Sequence, residues 1–583
     1  MSHEQVVYLA ELTVFDPALG AEKVLRYSSG QGFITGGGDS PPHTYYAPRI
    51  KQPIDVTRDL FSTGATSGAT RVGYGDLVLI NPDGELDGLL DYAFDGRELN
   101  IFRYGGEGHP HYSDFTLVIA ATMTQAEFST NSVTVKVRDR QYELTIPLQP
   151  RKYAGTNVLP NGLEGVAADL RGKVKPVCYG VVKNISPPIV NTSKLVFQVN
   201  DSAVLSVDVV YDRGVALTRG TSYASEADLL NDALAPAAGT FKDYPAGGYF
   251  RVGTAPTGLV TADVTQGATA ADRTAGQIFI ALLNRAADNN AFFTSAAQVL
   301  PVTDTGDTFV TDTGATLAAG GRWSDADIIA LDAANPAVLG FWTDEEMKLA
   351  QVVDLVASTV GAWWGVDRNG VFRIERLTAP DGVPVAVFTA NDMKRPPERV
   401  AVNDEWRGLP VYRQVIRWGK NYAVQPTDIA ASVTDARRAY LAQEWREAVA
   451  TDTSIQRKNL LAPSVEEESL FTVEADAQAE ASRRLGLRGI RRDRFELFVP
   501  LTDDTAKIDL GKVIEFSYPR YGLAVEGSAA GALFRVLGVA PNGRERSLRL
   551  NVWGRPTGSG NLVTGTSDFF VTDTGEYLLT GAA

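Results

Sequence analysis

The sequence predicts a multidomain, mainly β protein with α+β parts, built of several small β-barrels or sandwiches plus a few amphipathic helices. Three observations carry this. Short runs rich in Val, Ile, Thr, Phe and Tyr recur along the chain, with Gly (55) and Pro (29) falling between them rather than in one block. Val133, Val135 and Val137 alternate with Thr134 and Lys136, the period-two pattern of a strand with one buried face. The length, 583 residues, corresponds to about four domains at roughly 150 residues each.

The elements follow in order. Residues 1–150 read as an N-terminal β-barrel-like domain, with strands at 6–15, 77–80, 115–121 and 132–138 and turns at Asn81-Pro82-Asp83-Gly84 and Asp95-Gly96. Residues 151–335 read as a β-rich α+β domain. A Gly/Asn/Pro-rich stretch (151–175) opens it, strands lie near 176–180, 195–199 and 206–211, and Ile278, Leu282 and Ala286 mark a helix over 275–286.

Residues 336–430 read as a helix-plus-hairpin α+β domain. Thr343-x-x-Glu346 is a capping box, and Leu349, Val352, Val353, Val356 and Val360 form an apolar stripe stopped by Gly361. A hairpin should follow, turning at Asp367-Arg368-Asn369-Gly370 and packing on that helix. Residues 431–555 read as helices over 435–449 and 473–485, the second ending at Gly486, then a C-terminal β domain with strands at 495–501, 513–518, 533–539 and 547–553. Residues 556–583 read as a linker and a short β ribbon tail.

One string occurs three times: Val-Thr-Asp-Thr-Gly at 302–306, 310–314 and 571–575. The first two copies sit eight residues apart, which suits a two-strand ribbon with Asp-Thr-Gly turns and not a solenoid. Its acidic turns lack the ligand spacing of an EF-hand.

Composition narrows function. Hydrophobic residues at 44% and charged residues at 21% match a folded globular chain. A formal charge of −15 opposes sequence-independent binding to nucleic acid or anionic membrane. The single cysteine, Cys178, excludes an intrachain disulfide framework and any four-cysteine metal site, and reads as a small buried hydrophobe. The start, Met1-Ser2-His3-Glu4-Gln5, lacks a basic and apolar leader, and no apolar run approaches the ~18 residues of a membrane span, so folding in a cytosol is expected.

Chemistry is sparse. His3-Glu4-Gln5-Val6-Val7 begins a zinc-hydrolase pattern but ends in valine, and His109-Pro110-His111 reads as a solvated loop, with metal binding beside Glu107 or Asp114 as the alternative. No nucleophile elbow or phosphate-binding loop is present, and Gly30-Gln31-Gly32 and Gly36-Gly37-Gly38 read as surface loops. Trp342, Trp363 and Trp364 read as core or interface anchors. The basic cluster Arg483, Arg484, Arg488, Arg491, Arg492 and Arg494 suits interface ion pairs or a solvated face, with nucleic-acid contact the remaining alternative. Catalytic, cofactor-binding and metal residues are therefore all expected to be none, and the protein is expected not to be an enzyme.

The order of several short stretches resembles a known family. They are Asn81-Pro82-Asp83-Gly84-Glu85-Leu86-Asp87 with Tyr92–Asp95-Gly96-Arg97; Lys175-Pro176-Val177-Cys178-Tyr179-Gly180 with Asn184-Ile185-Ser186-Pro187; Val209-Val210-Tyr211-Asp212-Arg213-Gly214; and Gly365-Val366-Asp367-Arg368-Asn369-Gly370. The ending adds Leu510-Gly511-Lys512-Val513, Tyr518-Pro519-Arg520-Tyr521-Gly522-Leu523, Leu533-Phe534-Arg535-Val536-Leu537-Gly538 and Val552-Trp553-Gly554. Over about residues 75–555 the chain resembles tail-tip proteins (baseplate hub or distal tail type) of long-tailed bacteriophages and prophages.

The resemblance implies a structural protein of the virion tail tip, assembled in the host cytoplasm as a cyclic homo-oligomer, trimer or hexamer. It implies partners in the tail tube protein, the tape measure protein and other baseplate, receptor-binding or central-fibre proteins. DNA would pass without specific binding, through a lumen expected to be acidic, because like charges repel. The alternatives are a tail-associated carbohydrate- or receptor-binding protein, or a cell-wall hydrolase.

Overall fold

The computed structural model describes residues 5–53, 55–61, 67–289, 309–310, 316–317, 323–400, 410–521, 523, 531–555, 569–571 and 577–579. Strand accounts for 40% and helix for 19% of it, in several separate sheets, as the sequence predicts. Among the described residues no sheet closes into a barrel.

The largest sheet has 16 strands and is assembled from both ends of the chain. Its main path runs Arg395–Val400, Asp493–Pro500, Ser547–Gly554, Ala532–Asn542, Val56–Asp59, Arg71–Ile80, Ser132–Arg138, Thr116–Ser129, Glu98–Gly106, Gln5–Asp16, Ala21–Ser28, Tyr45–Pro48 and Phe33–Ile34. The alternation at 132–138 works as read: Val133, Val135 and Val137 are buried, with Val133 opposite Leu79 and Val135 opposite Leu77. The two ends meet where Gly538 and Val539 pair with Asp59 and Arg58. Glycine suits this place because a Cβ on Gly538 would lie 2.3 Å from Oδ1 of Asp59. A bulge between Val536 and Gly538 bends the strand there. One hydrophobic core underlies the junction, joining Leu12, Leu77 and Ile101 to Phe495, Phe534 and Val552.

The middle of the chain forms two five-stranded sheets. One contains Val177–Ile185 between Val260–Thr265 and Gly340–Thr343, and the other centres on Val196–Gln198 and Tyr249–Val252. Gly180 allows the close approach of Val177–Ile185 to its neighbour: its φ is +70°, and a Cβ would sit 1.9 Å from the Leu339 carbonyl oxygen. The helix Ala275–Asn289 buries Ile278, Leu282 and Ala286 and packs on the helices Asp325–Ala334 and Leu349–Thr359.

The Leu349–Thr359 helix carries the expected stripe and packs on the hairpin Ala362–Val366 with Phe372–Arg376, which turns over residues 367–371. Its start differs from the sequence reading. Thr343 ends the strand Gly340–Thr343, opposite Val177, so the helix is capped instead at Lys348, whose backbone N–H donates to Gln351 Oε1 at 2.8 Å.

The helix expected over 435–449 stops at Leu441, and residues 446–451 form a strand beside Arg413–Trp418. Ala448 and Ala450 alternate inward under the helix Glu474–Arg488, so tertiary packing overrides helix propensity there. That last helix continues past Gly486 to Arg488, where buried ion pairs hold its final turn.

Candidate interaction surfaces

Arg483, Arg484, Arg488 and Arg492 turn inward, while Arg491 stays exposed and Arg494 lines a surface cleft. The helix Glu474–Arg488 places Glu480, Arg483, Arg484 and Arg488 along its length at spacings that bring side chains together. Arg484 Nε donates to Glu480 Oε1 at 2.7 Å and Arg484 Nη1 to Glu467 Oε2 at 2.7 Å, while Arg488 Nη1 donates to the same Glu467 oxygen at 2.8 Å. Arg376 and Arg483 also donate to Glu480, and Arg484 Nη2 caps the end of the Leu349–Thr359 helix through the Ser358 and Thr359 carbonyls.

Burial alone would raise both carboxyl groups, but the surrounding guanidinium groups reverse it. Arg483, Arg484 and Arg376 hold Glu480 down at about 2, and Arg484 and Arg488 hold Glu467 well below the usual carboxylate range. Arg492 stacks 4.8 Å over the Trp553 ring, and burial lowers it to about 10. The pairs of Arg483, Arg484 and Arg488 thus form within one chain, where the sequence suggested an interface or a solvated face, and exposed Arg491 fits the solvated reading. Glu480, three and four residues before Arg483 and Arg484, was the available sequence signal; Glu467, on a separate strand, gave none.

A second polar cluster lies at the junction of the large sheet. Arg58 Nη2 donates to Asp509 Oδ1 at 2.6 Å and Arg58 Nη1 to the Val366 carbonyl at 3.2 Å, and the Arg368 backbone N–H donates to Asp509 Oδ2 at 2.7 Å. Burial favours the neutral acid, but the Arg58 charge outweighs it and lowers Asp509, while burial and the Asp509 charge raise neighbouring Asp367. At the junction a cleft of about 240 Å³ is lined by Asp59, Arg71, Arg494, Glu496, Arg549 and Asn551. It mixes both signs of charge, with Asp59 and Glu496 facing Arg71, Arg494 and Arg549.

The remaining sequence candidates do not converge. The His109 ring packs 5.6 Å from Phe33, and His111 Nδ1 lies 3.5 Å from Asp39 Oδ1. Among the described residues no three His, Cys, Asp or Glu side chains gather to hold a metal. Cys178 is 1% exposed, and burial pushes its thiol far above its ordinary value. Trp342 donates to the Val199 carbonyl at 3.0 Å, Trp364 to Asp354 Oδ1 at 2.7 Å, and Trp363 is buried, so all three are core anchors. Among the described residues no tryptophan is exposed, and no helix is long and apolar enough to cross a membrane.

The stretches that carry the family resemblance fall largely at turns and strand ends. Leu86 N donates to Asn81 Oδ1 at 2.9 Å and Asn81 Nδ2 to Asp87 Oδ1 at 2.8 Å, closing the turn after Arg71–Ile80 around Gly84 at φ +71°. Arg213 and Gly214, both at positive φ, turn Ser206–Asp212 back onto Val215–Ala216. Asp367 Oδ1 accepts the backbone N–H groups of Asn369 and Val371, fixing the next turn.

No protein-family model matches the chain, and no curated protein sequence matches it. Among solved structures it is similar to a chain of a native gene transfer agent particle virion (15% identity, 71% of this chain, 92% of that one, TM-score 0.36). It is also similar to a tail protein from Neisseria meningitidis MC58 (9% identity, 88% of this chain, 94% of that one, TM-score 0.33). A third similarity is to the 43 kDa tail protein of prophage MuSo2 from Shewanella oneidensis (10% identity, 95% of this chain, 99% of that one, TM-score 0.30). All three TM-scores lie below 0.5, too low to establish a shared fold or a shared function.

Proposed function

We propose that the protein is a structural, non-enzymatic component of a phage tail tip. It assembles as a ring around the tail axis, joins the tail tube and tape measure to receptor-binding or central-fibre proteins, and gives passage to DNA during ejection. One observation carries the reading: the tail-tip stretches occur in family order over residues 75–555 and largely occupy turns and strand ends, positions that specify architecture.

Two further features support it. The chain carries a net charge of −15, and Arg483, Arg484 and Arg488 are spent on internal pairs, which leaves few unpaired cations from that cluster to hold DNA. The junction cleft offers charges of both signs to a neighbouring surface.

The test is to mix the purified protein with assembled tail tubes and image the ends, in parallel with a peptidoglycan zymogram and glycan-binding arrays. Density capping one end of the tube, with no clearing and no glycan signal, is expected. Bare tube ends with cleared peptidoglycan would replace this reading with the hydrolase, and bare ends with glycan binding would replace it with the receptor-binding protein.

A further inference from the structure

A line of residues crosses five neighbouring strands of the large sheet at the junction of the two chain ends. Glu496 lies opposite Asn551, Asn551 opposite Gly538, Gly538 opposite Asp59 and Asp59 opposite Arg71. Phe495, Leu497, Leu550 and Val552 alternate into the core, whereas Arg494 and Glu496 are half-buried and Arg549 is exposed, so the line belongs to the outer face. The strands Asp493–Pro500 and Ser547–Gly554 are antiparallel, so Arg494, two residues before Glu496, and Arg549, two residues before Asn551, stand on opposite sides of the line. Arg71 closes its end. The cleft of about 240 Å³ thus has one guanidinium group at an end and one on each flank.

Cations outweigh anions here. Three guanidinium groups face two carboxyl groups, and burial raises the Asp59 carboxyl, prevailing over the charges of Arg71, Arg549 and Arg494, which all reach it and favour its ionised form. Arg71 stands 3.9 Å from Asp59 Oδ2, the outer limit of an ion pair, with its side chain 64% exposed. Gly538, in the middle of the line, contributes no side chain to fill the cleft. A guanidinium group meets a carboxylate through two parallel hydrogen bonds. The line spans roughly 19 Å, four strand spacings of ~4.8 Å, which is the length of about six extended residues. A peptide carboxylate suits the cleft better than a phosphate backbone, because the net charge of −15 repels a long polyanion over the rest of the surface.

We propose that the cleft framed by Arg71, Arg494 and Arg549 binds an acidic peptide segment of a partner protein through its side-chain carboxylates. The inference deepens the use of the cleft in the scaffold reading and rests on that reading for the presence of a partner. The binding itself is a property of the single chain, so the two fail separately.

The test is fluorescence anisotropy of labelled hexaglutamate titrated with the full-length chain at low ionic strength, with hexaglutamine as the uncharged control and circular dichroism confirming that each variant folds. Hexaglutamate should bind saturably at one site per chain, and hexaglutamine should not bind. Arg71→Ala and Arg549→Ala should each weaken binding by about tenfold. Arg457→Ala, which removes an exposed arginine of the helix Thr453–Lys458 outside the cleft lining, should leave it unchanged. Asp59→Asn removes a competing carboxylate and should tighten binding, a gain that damage to the fold would not produce.

Equal affinity in the wild type and the arginine variants of the cleft, or no binding of hexaglutamate, would overturn the site. A short DNA duplex that binds the wild type more tightly than hexaglutamate, and is lost in the same variants, would overturn the peptide and assign the cleft to a phosphate backbone. Each of these results leaves the tube-end experiment to decide the scaffold role.

Discussion

Arg58 and Asp509 are 451 positions apart in sequence and share a 2.6 Å hydrogen-bonded ion pair at the heart of the large sheet. Their side chains are 6% and 10% exposed, so the pair works in a setting where an unpartnered charge is costly. It ties a strand near the start of the chain to the loop that leads into the last sheet strands, and so makes one body of the two ends.

Removing one partner should be expensive. Arg58→Met leaves Asp509 buried and uncompensated, at an expected cost of about 3–5 kcal/mol. Asp509→Asn should cost less, since the amide retains one acceptor. Denaturant titration of the two single variants and the double should show coupling of about 1–3 kcal/mol. Additive effects would mean that the pair does not hold the ends together.

Acid should loosen the helix Glu474–Arg488. Glu480 titrates at about 2 in the folded protein, below the ordinary 4.5. Its stabilisation is therefore complete above about pH 4.5 and is lost as the pH falls toward 2, a swing of about 3 kcal/mol. Thermal melts between pH 7 and pH 3 should show Tm falling steeply below pH 4.5. Glu480→Gln should lower Tm at neutral pH and flatten the acid limb, and an unchanged limb would count against the network.

Gly180→Ala should be severely destabilising, by about 3 kcal/mol or more, because the added methyl group would meet the Leu339 carbonyl oxygen at 1.9 Å in a left-handed backbone region. Gly239→Ala, also at positive φ but with nothing within 4 Å of its Cβ, should pay only the backbone strain of about 1 kcal/mol. Equal costs would show that close strand approach is not what requires Gly180.

Cys178 should be inert in the native state. Its thiol is 1% exposed and burial disfavours the thiolate, so a maleimide should label it only after unfolding. Rapid labelling of the folded protein would contradict the buried placement.

Local pattern made much of the fold readable. The Val133–Val137 alternation, the Leu349–Val360 stripe and the turn at Asp367–Gly370 each needed only neighbouring residues, and each is present. What escaped depends on distant partners. Residues 446–449 read as the end of a helix until Arg413–Trp418 is laid beside them. The union of the two chain ends rests on pairing of Val539 with Arg58, which no window of sequence contains; Gly538, placed where a Cβ would strike Asp59, is its one local trace. The arginine cluster was visible as charge, but the inward direction of Arg484 depended on Glu467 and on the carbonyls ending another helix.

The most direct test of the scaffold account is the solution mass of the purified full-length chain by light scattering, followed by electron-microscope class averages. The account predicts a threefold or sixfold ring with an axial hole, formed alone or on the end of a tail tube. A monomer that remains single in both settings would contradict it.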